Sequence, residues 1–146
     1  MGNMDFINFD FNKLFLCIDK RMRKIQDMLL KDYGLTHFHT WYLANLYRYG
    51  EMNLSSLTSE IGVDKANTTR AVRDLIKKGY IKKLGDSDRK YNIRLSEEGY
   101  RVADTFKRHI DNIMENGFHK FSLSDKKLFF ELLNKFSLGV KDATDI

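Results

Sequence analysis

The sequence predicts a mostly α-helical chain with one small β-hairpin, and three observations lead there. Apolar residues recur at three- and four-residue steps over most of the 146 positions. That spacing gives way to strict alternation at Tyr91, Ile93 and Leu95, which are separated by Asn92 and Arg94. Glycines stand where the helical runs stop, at Gly34, Gly50, Gly62 and Gly79, and the chain contains no proline.

The elements follow in order. Phe11, Leu14, Ile18, Ile25 and Met28 mark a long amphipathic helix from Asp5 to Lys31, ending near Gly34. Thr36 caps a second helix through about Arg48, with Leu43, Leu46 and Tyr47 inward. Asn53 caps a short helix carrying Leu54, Leu57 and Ile61, which Gly62 stops. Asp64 caps the next, which runs to Lys78 before Gly79. Two short helices joined by a tight glycine-containing turn form a helix-turn-helix. Ile81 to Leu84 and the alternating segment ending at Leu95 then pair as a hairpin around a polar loop, Gly85 to Lys90.

Ser96 caps a further helix whose first turn carries Glu97 and Glu98, favourable at the positive end of the helix dipole. Ala103, Phe106, Ile110, Ile113 and Gly117 form its apolar stripe. A last helix, starting after Ser124, is expected to bury Phe129, Leu132, Leu133, Phe136 and Val140. The reading is one domain over 1–146, with a winged helix-turn-helix at 36–99 and N- and C-terminal helices at 5–34 and 100–142 expected to form a dimerisation region.

Composition excludes several classes. Apolar content of 42% and aromatic content of 13% are globular values. The single cysteine, Cys17, closes no intrachain disulfide, and its apolar neighbours Leu14, Phe15, Leu16 and Ile18 suggest a small buried hydrophobe. The longest apolar run is too short to span a bilayer, and the N-terminus lacks a secretory charge pattern. A soluble cytoplasmic chain with no membrane partner is expected. The four histidines form no metal-ligand quartet, and no phosphate-cradling glycine loop or nucleophile elbow occurs. No enzyme activity, metal or cofactor is expected.

Charge is unevenly placed. The net +5 lies entirely between Ser55 and Leu95, which hold ten basic and five acidic residues, while the other 105 residues carry 15 of each sign. One module facing a polyanion gives such a footprint. On a helical wheel from Asp64 to Gly79, Thr68, Val72, Leu75 and Ile76 face inward, whereas Asn67, Arg70, Arg73, Asp74 and Lys77 face out. Asn pairs bidentately with adenine and Arg with guanine in the major groove, read from the N-terminal half of such a helix. Asn67 and Arg70 are therefore assigned to bases, Thr69 to either role, and Arg73 and Lys77 to phosphates. An ordinary solvated amphipathic helix would show the same wheel. The hairpin loop favours double-stranded DNA, because its tip carries Arg89 and Lys90, suited to the negative potential of a narrow minor groove. Asp88 among these cations is assigned to orienting an arginine.

Asp64-Lys65-Ala66-Asn67-Thr68-Thr69-Arg70, then Leu75, Gly79-Tyr80-Ile81, Asp86-Ser87-Asp88-Arg89-Lys90 and Leu95-Ser96-Glu97-Glu98-Gly99, together resemble the winged-helix core of the MarR family of transcriptional regulators. The resemblance implies a homodimer on a pseudopalindromic operator, with each wing in the minor groove. It further implies a repressor relieved by a small lipophilic or phenolic ligand. A crevice between the outer helices and the winged helix is the natural effector site, with Ile18, Met22, His39 and Tyr42 as candidates, although an aromatic or Met at helical spacing is more often plain core. Two departures stand out: Thr68 replaces a usually apolar residue, and the second helix opens Leu35-Thr36-His37-Phe38-His39-Thr40-Trp41 rather than with the usual proline. The peroxide-sensing cysteine of one subfamily would align with Asn12, not Cys17. A non-specific architectural DNA binder or a protein-interaction dimer is the alternative.

Overall fold

The computed structural model describes residues 3–86 and 90–144, with side chains from residue 8 onward. Among them, six α-helices and three short strands occur in the order α1 (Asn3–Leu30), α2 (His37–Tyr49), β1 (Met52–Asn53), α3 (Leu54–Ile61), α4 (Lys65–Lys77), β2 (Ile81–Leu84), β3 (Asn92–Leu95), α5 (Glu97–Gly117) and α6 (Leu123–Thr144). The mostly helical architecture and the hairpin are as the sequence predicts. The chain divides into two compact units, residues 1–107 and 108–146.

In the first unit, local signals dictate most boundaries. Asn53 accepts the Ser56 N–H at 2.7 Å and Asp64 accepts the Asn67 N–H at 2.7 Å, so both helix starts carry real caps. Gly62, at φ +74°, turns the chain sharply between α3 and α4, in a conformation that a residue with a Cβ rarely adopts. The hairpin has the register Ile81↔Leu95 through Leu84↔Asn92. A third strand, β1, pairs Met52 with Ile93 on the other side of β3. Two residues with no periodicity of their own cannot announce such a strand; it exists through its partner.

The core lies beneath this sheet and α4. Leu30 and Leu35 enter from the α1–α2 connection, Leu43 and Leu46 from α2, and Leu57 from α3. Val72 and Leu75 come from α4, Ile81 and Ile93 from the sheet, and Val102, Ala103 and Phe106 from α5. Thr68, the one polar core residue of α4, satisfies its hydroxyl by donating to the Asp64 carbonyl at 3.2 Å, so its burial leaves no orphaned donor. Gly99 seats α5 against the hairpin base. A Cβ there would run into the Tyr80 carbonyl, 2.8 Å from its carbon. Ser96 Oγ ties the same junction, donating to the Gly79 carbonyl and accepting the Gly99 N–H.

Three expectations change. Cys17 is exposed rather than buried, and its apolar neighbours Leu14, Phe15, Leu16 and Ile18 are exposed with it. Leu132, Phe136 and Val140 of α6 are likewise about half exposed, and Phe129 and Leu133 are exposed too. Their periodicity marks an apolar face, which is not the same as an intrachain core. Finally, α6 begins at Leu123, two residues earlier than a start after Ser124. Ser122 is its cap: Ser122 Oγ accepts the Asp125 N–H and Asp125 accepts the Ser122 N–H, each at 3.0 Å, a reciprocal capping box. In the second unit, Phe118, Phe121, Phe129 and Phe130 form an aromatic cluster with centroids 5.1–5.8 Å apart.

Candidate nucleic-acid interface

Burial of Thr68, Val72 and Leu75 fixes the rotation of α4, which leaves Lys65, Asn67, Arg70, Arg73 and Lys77 exposed on the opposite side. Lys65, Ala66, Thr69, Arg70 and Arg73 line an open depression of about 590 Å³. The small Ala66 leaves room among the long cationic side chains. The depression is thus a cationic surface on a rigid helix, with no large apolar side chain to obstruct an approaching polar partner.

The individual roles differ in geometry. Asn67 is held at the N-terminus of α4, its Nδ2 donating to Asp64 Oδ2 at 2.8 Å. Thr69 is half-buried and its hydroxyl donates to the Lys65 carbonyl at 2.8 Å, leaving the oxygen as an acceptor. Arg70, Arg73 and Lys77 occupy successive turns of the exposed face. Lys65, absent from the sequence-based assignment, belongs with them. It lies four residues, about one helical turn, before Thr69, and that spacing was the available signal.

Asp74 is the correction on this helix. The wheel placed it on the outer face, yet it is half-buried and turned toward α2, where it accepts the His39 Nε2–H at 2.8 Å. Lys78 Nζ lies 3.5 Å from the same carboxylate and donates to the Gly34 carbonyl at 2.7 Å. The one acid on the outward arc is thereby taken away from the cationic face, which leaves its field more positive.

The hairpin adds exposed Lys82, Arg94 and Lys90, and Lys83 Nζ sits 4.5 Å from the Tyr91 ring centroid. Asp88 and Arg89 lie outside the described residues, so their assigned roles rest on sequence alone.

The four residues assigned to a ligand crevice are placed very differently. Ile18 is exposed and Met22 half-buried, one turn apart on α1. Tyr42 is a core residue. His39 is committed at both ring nitrogens: Nδ1 accepts the Thr36 N–H at 3.1 Å, so the proton sits on Nε2 and is donated to Asp74. Its neighbour His37 faces α1, where Asp27 Oδ1 accepts both the His37 N–H at 2.6 Å and the Nδ1–H at 2.8 Å. That backbone hydrogen bond, followed by the imidazole, holds the Asp27 carboxyl below its ordinary value despite some desolvation. Elsewhere in this unit, Tyr80 is pushed up by burial and donates to the Tyr33 carbonyl at 2.9 Å. Tyr47 is raised by its hydrogen bond to Asp104. No group of three or more His, Cys, Asp and Glu among the described residues gathers as a metal site. No helix among them is long and apolar enough to cross a membrane.

Known proteins share both the sequence pattern and the fold. A sequence profile of the MarR family matches residues 35–90. The HTH-type transcriptional regulator BilQ of Clostridioides difficile (strain CD3) is 30% identical over 109 residues, covering 71% of this chain and 74% of BilQ. The MarR protein from Peptoclostridium difficile DA00132 superposes with a TM-score of 0.79 at 26% identity, over 98% of this chain and 93% of that one. The S. aureus MepR–DNA complex shares the fold, with a TM-score of 0.79 at 18% identity over 89% of this chain and 97% of MepR.

Proposed function

The chain belongs to the MarR family of transcriptional regulators, and from that premise we propose that it is a dimeric, sequence-specific DNA-binding regulator. Members of this family are regulators, not enzymes. The observation that carries the reading is the outward face of α4, where Lys65, Arg70, Arg73 and Lys77 are exposed while the nearby acid Asp74 is drawn inward by His39. Such a face suits the major groove of double-stranded DNA. Asn67 and Arg70 read base edges, and Thr69 takes either role, accepting from a base donor or, once its hydroxyl leaves the Lys65 carbonyl, donating to a phosphate, while Arg73 and Lys77 contact phosphates. The hairpin, with Lys90 and Arg89, enters the adjacent minor groove, and Asp88 orients an arginine there.

A single short helix reads few base pairs, so the active species is a dimer with half-sites about 34–36 Å apart. Support comes from the apolar faces that the chain leaves exposed: Leu14 and Ile18 on α1, and Leu132 and Phe136 on α6. The regulator is a repressor released by a small lipophilic or phenolic ligand near Ile18, Met22, His39 and Tyr42. Such a ligand acts only by its differential affinity for DNA-competent and DNA-incompetent forms. A ligand that displaced His39 from Asp74 would act directly on the seating of α4.

The test is retention of sheared genomic DNA from the source organism by the purified protein at physiological salt, followed by sequencing. Enrichment of a pseudopalindrome supports the proposal. Retention without a shared motif, lost steeply as salt is added, reduces the chain to a non-specific binder.

A further inference from the structure

The cap of α4 does more than a cap requires. One oxygen of Asp64 accepts the Asn67 N–H at 2.7 Å, which satisfies the helix start. The other accepts Nδ2 of the same residue's side chain at 2.8 Å. A neutral Ser, Thr or Asn would cap equally well without placing a negative charge at the DNA-facing end of a basic helix.

We propose that Asp64 is a specificity-determining positioning residue, whose second carboxylate oxygen fixes the orientation of the Asn67 carboxamide and hence the base that Asn67 selects. The inference rests on the reading of Asn67 as a base contact given above. Its chemistry is simple. A carboxylate only accepts, so Asn67 must turn its NH2 toward Asp64 and its carbonyl the other way. An untethered carboxamide can flip and offer donor and acceptor in either order. Adenine presents an acceptor at N7 and a donor at N6, and so matches one order only. The tether also removes rotamer freedom before DNA arrives, so less is lost on binding.

Asp64→Asn isolates the effect. Its side-chain oxygen still caps α4, while its NH2 now faces Asn67 and draws the carbonyl toward it, reversing the order offered to a base. It also removes a charge that repels every phosphate. Base preference and overall affinity therefore move in opposite directions, which a merely structural role would not produce.

The experiment measures binding of the full chain and its variants to a randomised duplex library, with thermal melting in parallel. Asn67→Ala defines the position that Asn67 reads. At that position Asp64→Asn is expected to lose discrimination by about five-fold or more, with general affinity unchanged or higher and preferences elsewhere intact. Asp64→Ser, which caps but cannot reach the carboxamide, is expected to weaken the same preference and serves if Asp64→Asn folds poorly. Loss of preference in Asn67→Ala but not in either Asp64 variant overturns the positioning role and leaves Asn67 as a base reader. Unchanged preferences in Asn67→Ala overturn the base contact itself, and this inference with it.

Discussion

His39 on α2 donates its Nε2–H to Asp74 on α4 at 2.8 Å, while its Nδ1 accepts the Thr36 N–H at 3.1 Å. One imidazole thereby joins the start of α2 to the helix that carries the cationic face. His39→Leu and Asp74→Ala are each expected to cost about 1–2 kcal/mol of stability. A double-mutant cycle in urea should return a coupling of about 1 kcal/mol. His39→Gln can still accept from Thr36 but is too short to bridge to Asp74, so it should recover only part of the loss. Strictly additive single mutants would show that the bridge does not hold α4 in place.

The second histidine of the same turn gives a pH dependence. His37 holds the Asp27 carboxyl below its unfolded value of about 3.8. A depressed carboxylate contributes stability that is present above the unfolded value and is lost as pH falls through the folded one. The stability difference between the native chain and Asp27→Asn should therefore shrink as pH falls below about 4. Denaturation across that range checks it, and a difference that grows on acidification would contradict the assignment.

Gly99 occupies a place where only hydrogen fits, against the Tyr80 carbonyl. Gly99→Ala must push α5 off the hairpin base and disturb the Ser96 contacts. A loss of about 3 kcal/mol or more is expected, since neither backbone can yield independently. A melt within a degree or two of native would mean that the junction is looser than its geometry indicates.

Base and phosphate contacts should separate in their DNA signatures. Lys77→Ala is expected to weaken all duplexes alike and lower the salt slope by about one. Arg70→Ala should cost about 1–3 kcal/mol on the preferred site and relax preference at one position. Identical behaviour of the two variants would place Arg70 on phosphate.

The exposed face of α6 predicts self-association. Sedimentation at micromolar concentration should show a dimer, and Leu132→Asp should shift it toward monomer. If bivalent binding operates, that variant should lose about 100-fold or more in operator affinity without losing its cooperative melt. A monomer that still binds the operator specifically would remove the dimer from the mechanism.

Some features were legible because their cause is local. Asn53 and Asp64 cap the helices they precede, and both act over three residues. Ile81 to Leu84 was recognisable as a hairpin strand because the alternation at Ile93 and Leu95 required a partner nearby. The buried side of α4 followed from its period, and with it the exposure of Asn67, Arg70, Arg73 and Lys77. The start of α6 was not read correctly from Ser124, because Asp125, three residues after Ser122, completes a reciprocal capping box at Ser122 instead.

Helix order, the hairpin and the basic face were thus determined by the sequence itself, since periodicity, capping and charge act within one element or its immediate neighbour. Tertiary structure alone decided that β1 joins the sheet at Ile93, that Asp74 turns inward to His39, and that Gly99 meets Tyr80. A helical wheel gives the direction of a side chain from its own axis, but not which residue of another helix lies within 3 Å of it. His39 and Asp74 are 35 residues apart, and no period in either helix refers to the other. The same limit explains Leu132: an apolar stripe specifies that a face seeks cover, and only the folded structure shows that this residue stays about half exposed.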